Sequence, residues 1–339
     1  MRQIKLAFLF ACKYLGAFAV ARRLTRGSLK ILCYHGFALH DEALFRPKLF
    51  MSSATFADRM ARLSRMGMRV LPLHEAVRSM YEGRLPPHAL AITIDDGFGT
   101  TPALAASVLS RHGLPSTVYV TSYYVKHNVP IYRLVVQYML WRTTETSITF
   151  RRCDWHPDET IELSAEGRAA LADDLIARGE ALDAEQERLD ICDELGRMLG
   201  VSFQDIVDQR FLHLMTPEQL RTLGAQGMDV QLHTHRHRFP SDSASLAKRE
   251  IEDNRSSLCE WLPGQRFEHF CYPSGLWEPQ QHAWLDEIGV KSSTTCLPGL
   301  NTASTPRHAL RRFLDGENIH PLEFEAAVCG FSDLVSRRF

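Results

Sequence analysis

Short apolar segments alternate with amphipathic segments in the first part of this chain. Residues 91–94 and 116–121 are runs of apolar and β-branched residues with the length of buried strands. Between them, residues 102–112 predict a helix that begins at Pro102 and ends before Gly113. Strands that alternate with helices are typical of a parallel sheet. The pattern therefore predicts an α/β fold.

The same alternation returns near residue 211. Thr216-Pro217-Glu218 has the cap, the proline and the acidic first turn of a helix start, and an apolar strand follows at residues 230–232. A long amphipathic pattern then predicts a helix over residues 243–261, and late strands are predicted at residues 290–295 and 309–313. The two stretches together have the alternation of one α/β domain.

Residues 125–210 interrupt this alternation. Two amphipathic and acidic segments, residues 164–177 and 184–199, predict helices with one solvated face. We interpret residues 125–210 as a mostly helical insertion between a first domain part at 28–124 and a second at 211–339. A lid, an acceptor-binding lobe and a dimer surface are all compatible with it.

Residues 1–26 carry an apolar run followed by a basic cluster. The run from Leu6 to Val20 is interrupted by Lys13 and is shorter than the roughly 20 apolar residues of a spanning helix. We expect an amphipathic helix over residues 1–27 that lies on the cytoplasmic face of the inner membrane, with its arginines against anionic lipid. A helix packed on its own domain and an export signal are the alternatives, although a basic cluster after the apolar run disfavours export.

Composition adds two constraints. A formal net charge of −1 and a hydrophobic share of 45% indicate a globular chain and argue against nucleic acid as a partner. The eight cysteines include no Cys-x-x-Cys pair, which favours reduced thiols over a disulfide framework.

Adjacent carboxylates end the strand at residues 91–94. Asp95 and Asp96 precede Gly97, where the chain can turn sharply. In barrels of parallel strands, the carboxyl ends of the strands carry the active site, and two close carboxylates need a shared proton or a metal. A plain turn between strand and helix is the alternative interpretation.

Three histidines follow the strand at residues 230–232. They are His233, His235 and His237, and a spacing of four places the first and last on one side of a helical turn. Imidazole and carboxylate are suitable zinc ligands, and one aspartate with two histidines leaves a coordination position open, as a catalytic metal needs.

Together these motifs resemble the polysaccharide deacetylases of carbohydrate esterase family 4, which share the NodB homology domain. The resemblance rests on four segments over residues 30–124 and 211–320: Thr93-Ile94-Asp95-Asp96-Gly97, His233-Thr234-His235-Arg236-His237, Phe270-Cys271-Tyr272-Pro273-Ser274-Gly275 and Leu310-Arg311-Arg312-Phe313. It implies a distorted (β/α) barrel.

The resemblance also implies roles for individual residues. Asp96, His233 and His237 would hold a divalent metal, most simply Zn²⁺, with Co²⁺, Ni²⁺ or Mn²⁺ as alternatives. Asp95 would be the general base. The Tyr34-His35 segment is typical of exopolysaccharide and cell-envelope members, in which an early histidine can replace the late one, so His35 is the expected general acid.

The third motif departs from the family pattern. Cys271 stands where an arginine commonly pairs with the catalytic aspartate, so Arg311 or Arg312 is expected to supply the cation. Ser274 replaces an aromatic residue, and the backbone N–H near it, beside Tyr272 and Pro273, would help to form the oxyanion hole. Trp277 is the aromatic residue that we single out as a sugar platform.

We therefore expect a metal-dependent N-deacetylase acting on an N-acetylated sugar of a cell-surface polysaccharide or of its lipid-linked precursor. An N-deformylase or other amidase on a lipid-linked sugar is one alternative, and a non-catalytic glycan-binding relative is another. A membrane scaffold is a third, suggested by the insertion and the N-terminal helix alone.

Overall fold

The computed structural model describes residues 2–336. Its strands are β1 (Lys30–Tyr34), β2 (Gly36–Phe37), β3 (Phe50–Met51), β4 (Arg69–Val70), β5 (Ala89–Ile94), β6 (Thr117–Val120), β7 (Ser147–Phe150), β8 (Glu159–Glu162), β9 (Asp229–Leu232), β10 (His269–Cys271), β11 (Ser292–Thr294) and β12 (Phe313–Leu314). Its helices are α1 (Arg2–Tyr14), α2 (Ala17–Leu24), α3 (Glu42–Phe45), α4 (Ser53–Arg65), α5 (Leu73–Tyr81), α6 (Ser107–His112), α7 (Ser122–His127), α8 (Tyr132–Arg142), α9 (Ala165–Ala181), α10 (Glu185–Leu199), α11 (Phe203–Gln209), α12 (Pro217–Ala225), α13 (Ala244–Trp261), α14 (Gln281–Glu287), α15 (Pro321–Val328) and α16 (Phe331–Ser336). A π-helical turn (Pro102–Ala106) precedes α6, and a 3₁₀ turn (Pro273–Gly275) follows β10.

A parallel sheet organises the unit formed by residues 1–126 and 215–339. Its strands run in the order β11-β10-β9-β6-β5-β1-β12, and β4 also pairs with β5. Each of these pairs is parallel. The sheet curls into a half-barrel with helices around it, which confirms the predicted distorted (β/α) barrel.

Buried strands form the centre of this barrel. Every residue of β1 and β5 is buried, as is usual for parallel strands covered on both faces. Leu29, Ile31, Ala91 and Tyr119 belong to a core cluster that α5 joins through its apolar face. This packing fixes the positions at which the strands end.

The late segment of the chain departs from its predicted strand. Residues 309–313 are predicted as a strand, but β12 begins only at Phe313, and Leu310 forms an isolated parallel bridge with Thr294. The physical reason is that the Arg312 N–H donates to the carbonyl of Leu297, in a loop, at 2.9 Å. The chain therefore leaves regular pairing at the arginine.

The N-terminal segment forms two helices that meet at an angle of 76°. Gly16 lies between them with a φ of 80°, a left-handed conformation that favours glycine. Leu9 and Phe18 pack against Ala326 and Cys329, so one face of the pair lies on its own domain. No single helix in residues 2–336 is long and apolar enough to cross a membrane, whereas α1 and α2 taken together have that length and composition.

Residues 127–214 form a second compact unit. It contains α8 to α11 and an antiparallel hairpin of β7 and β8. Leu175 and Leu195 are fully buried, and the Tyr132 hydroxyl donates to the carbonyl of Leu175 at 2.9 Å. The unit is mostly helical and has its own apolar core.

Candidate active site

The carboxyl ends of neighbouring strands bring the motif residues together. His35 follows β1, Asp95 and Asp96 follow β5, His233 follows β9, and Tyr272 follows β10. These strands lie side by side or one strand apart in the sheet. The fold thus gathers residues that lie far apart in the sequence, at the end of the sheet where barrels of this kind carry their active sites.

Asp95 forms a buried ion pair with Arg312. Both guanidinium NH₂ groups donate to the carboxylate at 2.7 Å, one to each oxygen, and the two side chains are 2% and 0% exposed. Burial alone would raise the pKa of Asp95, but the charge and hydrogen bonds of Arg312 outweigh it and hold that pKa well below its usual range. Asp95 is therefore an ionised carboxylate in a fixed orientation.

Arg312 itself is fixed by further contacts. Its Nε donates to the carbonyl of Thr295 at 2.9 Å, and one terminal nitrogen donates to the Thr93 hydroxyl at 3.1 Å. Arg311, by contrast, has an exposed side chain, and its backbone is bonded to Asn301. Of the two arginines that the sequence offered, Arg312 is the one beside the aspartate.

Two thiols complete the surroundings of Asp95. Cys271 and Cys33 donate to its Oδ2 at 3.3 and 3.5 Å, and the guanidinium of Arg312 lies 3.1 Å from the Cys271 sulfur. All eight cysteines are free. The thiol at the position of the expected arginine therefore leaves room for an arginine that enters from the late segment.

Asp96 faces histidines instead of arginine. Its Oδ1 lies 3.2 Å from Nε2 of His233 and 3.4 Å from Nε2 of His237. Burial alone would raise the pKa of Asp96, but hydrogen bonds from the two histidines lower it well below its usual range. Asp96 and His237 have φ angles of 70° and 56°, and non-glycine residues in this region often mark functional sites.

The donor set of Asp96, His233 and His237 fits a divalent metal. One ligand atom from each residue lies within 4.8 Å of the other two. Nδ1 of His233 lies 2.8 Å from the carbonyl of Cys271, an acceptor that holds a proton on Nδ1. Nε2, which faces Asp96, is the nitrogen that would ligate a metal, and it would give up its own proton on doing so. This orientation of a ligand by an outer partner is typical of metal-binding histidines.

His35 lies beside Asp95. Its Nε2 is 3.8 Å from Oδ2 of Asp95, too far for a hydrogen bond, and its side chain is 17% exposed. Its Nδ1 is buried and has no hydrogen-bond partner within residues 2–336. The histidines late in the chain have other contacts: His308 contacts Ser293 and Asp286, and His320 caps α15.

The third motif forms a tight turn next to this centre. Pro273 is buried, whereas Ser274 is exposed and has a left-handed φ of 57°. A Cβ on Gly275 would lie 2.5 Å from that of Cys296, so only glycine fits there. Trp277 is half-buried and stacks between Tyr272 and His282, at centroid distances of 6.2 and 5.0 Å.

Asn254 is a site residue that the sequence motifs missed. From the buried face of α13 it accepts a hydrogen bond from the His233 N–H at 3.0 Å and donates to the carbonyl of Val120 at 3.0 Å. Its signal in the sequence was a single amide at a core position, three residues after Ile251 and four before Leu258. His235 has a related supporting position, with Nδ1 2.9 Å from the Ser122 hydroxyl.

Comparison with known protein families gives a match. A family model described as polysaccharide deacetylase matches residues 196–293, less than a third of the chain. No curated protein matches the chain by sequence.

Several solved structures have a similar fold. The deacetylase PplD of Streptococcus pyogenes, in complex with acetate, is 16% identical with a TM-score of 0.59, over 90% of this chain and 99% of that one. IcaB of Ammonifex degensii is 18% identical with a TM-score of 0.54, over 89% and 97%. A de-N-acetylase of Aggregatibacter actinomycetemcomitans is 11% identical with a TM-score of 0.55, over 88% and 99%.

Proposed function

We propose that this chain, whose residues 196–293 match the polysaccharide deacetylase family model, is a hydrolase of that type, a metal-dependent N-deacetylase. Its substrate would be an N-acetylated sugar of a cell-surface polysaccharide or of a lipid-linked precursor. The observation that carries the proposal is the difference between the surroundings of two adjacent carboxylates. The carboxylate of Asp95 forms an ion pair with Arg312, and that of Asp96 contacts the rings of His233 and His237.

Asp96, His233 and His237 would hold the metal. A carboxylate with two imidazoles favours Zn²⁺, and Co²⁺, Ni²⁺ or Mn²⁺ suit the same donors. When bound, such an ion polarises the acyl carbonyl and makes a water molecule more acidic. Thr234 lies in a turn with a φ of 65°, and its hydroxyl accepts a hydrogen bond from the backbone N–H of Arg238 at 3.2 Å. This bond supports the loop between the two histidines.

The chain's own residues would move the protons. Asp95, ionised and oriented by Arg312, accepts a proton from the water that attacks the acetyl carbon. The backbone N–H near Ser274 donates to the oxygen that becomes negative as the carbon turns tetrahedral. His35 then donates a proton to the sugar nitrogen as the C–N bond breaks, which releases acetate and a free amine.

The surroundings of these groups support a sugar substrate. Trp277 is half-buried next to the third motif and is held by stacking on Tyr272 and His282. The part of the indole that these two rings leave exposed would contact the apolar side of a sugar ring. PplD, similar in fold, is described in complex with acetate, the product that an N-deacetylase releases.

A substrate panel tests the proposal. Purified protein, stripped of metal and then given Zn²⁺ or Co²⁺, is incubated with N-acetylglucosamine oligomers, lipid-linked acetamido sugars and their formamido counterparts. We expect metal-dependent acetate release from at least one acetamido sugar, and none from the Asp95→Asn variant. Formate release alone would replace the proposal with an N-deformylase, and glycan binding without any release would replace it with a glycan-binding relative.

A further inference from the structure

We propose that α1 and α2 form a surface that binds an anionic lipid bilayer. The inference does not depend on the proposed function, because it rests on a part of the molecule that contributes no residue to the deacetylase site. It starts from how α1 divides its charged and apolar side chains between its two sides.

The basic residues of α1 face its own domain. Lys5 pairs with Glu323 at 2.6 Å, and Lys13 pairs with Glu325. Arg2 donates to the carbonyl of Asn318 at 2.7 Å. These contacts lie on the same side of the helix as Leu9, which packs on α15. Both lysines of α1 are thus paired with carboxylates of α15, although their side chains remain 62% and 46% exposed.

The other side of the helix pair exposes large apolar side chains, and we name it the outer face: Ile4, Phe10, Tyr14, Leu15 and Leu24. Tyr14 and Leu15, at the bend between the helices, are 85% and 80% exposed. Of the fourteen large apolar side chains that are exposed in the described chain, seven lie within residues 4–24. A helix pair whose lysines are paired with its own domain and whose aromatic side chains are exposed presents the kind of apolar patch that marks an interaction surface.

Charge selects the partner. Residues 1–40 contain no aspartate or glutamate, although the whole chain has a net charge of −1. Arg23 and Arg26 are exposed at the end of the outer face. Apolar and aromatic residues bordered by arginines match the boundary between acyl chains and anionic headgroups. A second copy of the chain would instead bring the same uncompensated cations towards each other.

Vesicle co-sedimentation of the full chain tests the inference. We expect binding to vesicles of phosphatidylglycerol mixed with phosphatidylcholine, and much weaker binding to phosphatidylcholine alone, because arginines near the membrane are attracted by anionic headgroups. A double variant, Phe10→Glu with Leu15→Glu, should bind at least about tenfold more weakly to the mixed vesicles. Reversal of the two cations, Arg23→Glu with Arg26→Glu, should lose binding to the mixed vesicles to a similar extent.

The matched control changes two exposed leucines elsewhere, Leu44→Glu with Leu246→Glu, and should bind like the wild type. All these positions are exposed, and unfolding in urea checks that each variant is folded. Absence of wild-type binding to the mixed vesicles would overturn the inference. If the wild type is a dimer that does not bind vesicles, and the Phe10/Leu15 double variant is a monomer, self-association would replace membrane docking. Protein from native membranes that is released only by detergent, and not by alkaline carbonate, would replace surface docking with a membrane span.

Discussion

Asp95 and Asp96 are neighbours in the chain, yet they lie in opposite kinds of surroundings. Asp95 is closed in by a permanent cation, Arg312, and by two thiols, whereas Asp96 meets two imidazoles that carry no obligatory charge. The first carboxylate is neutralised by the chain itself, and the second is left for a cation that the histidines can share. In the proposed function, this difference in surroundings would let one strand end supply both a general base and a metal ligand.

Loss of Arg312, the counter-charge of Asp95, should have the largest effect on stability. Arg312→Leu leaves the Asp95 carboxylate buried without a counter-charge, so we expect the free energy of unfolding to fall by about 3–5 kcal/mol. Urea unfolding followed by circular dichroism measures it. Arg311→Leu is the matched control and should change stability by less than about 0.5 kcal/mol, because that side chain is exposed.

A second substitution checks the cause of that loss. If the unpaired charge is responsible, Arg312→Leu combined with Asp95→Leu should regain part of the stability. A double variant that is as unstable as the sum of the two single variants would show that packing, and not charge, had been lost.

Asn254→Leu should weaken the support of His233, one of the two histidines beside Asp96. The substitution leaves the His233 N–H and the Val120 carbonyl unpaired in a buried place, at a cost of about 1–3 kcal/mol. Because His233 then loses a supporting contact, we also expect metal affinity to fall roughly 10–100-fold. Calorimetric titration of zinc measures the second effect, with Ser256→Leu, an exposed position of α13, as the control. Unchanged affinity would show that Asn254 does not orient the ligand.

His269 is a buried histidine that lies away from Asp95 and Asp96, so it can be compared with the histidines that contact Asp96. Burial, together with the charge of His74, lowers the pKa of His269 to about 4, and its ring contacts the Ser292 hydroxyl. The unfolded chain, with a pKa near 6.5, therefore binds more protons, so stability is full above about pH 6.5 and falls towards pH 4 by up to about 1.4 kcal/mol per pH unit. In His269→Gln this contribution should be absent from unfolding curves measured at several pH values, and an unchanged pH slope would contradict the assignment.

Trp277→Ala should have the smallest effect, because it leaves both carboxylates untouched. If the indole packs on the sugar, KM should rise about 2–10-fold with little change in kcat, the loss expected for one aromatic contact. Steady-state acetate release measures it, and Leu297→Ala, another exposed apolar position, serves as the control. A fall in kcat at unchanged KM would place Trp277 in the reaction and not in binding.

The sequence located the fold and the neighbouring carboxylates because both are local patterns: apolar strands that alternate with helices, and motifs at strand ends. It could not choose between Arg311 and Arg312, because neighbouring residues of an extended segment point to opposite sides and the register of that segment is set by pairing with β1 and β11. It also could not show that α1 turns its lysines inward, because the partners Glu323 and Glu325 lie at the other end of the chain.

The most direct measurement is zinc titration with acetate release in three metal-stripped proteins: wild type, Asp95→Asn and Asp96→Asn. The account predicts that Asp95→Asn binds one zinc ion with an affinity within about tenfold of wild type but releases no acetate, since only the base is lost. Asp96→Asn should lose both zinc binding and acetate release, since a ligand is lost. Equal loss of zinc binding in both variants, or acetate release that survives in Asp95→Asn, would contradict the separate roles of the two carboxylates.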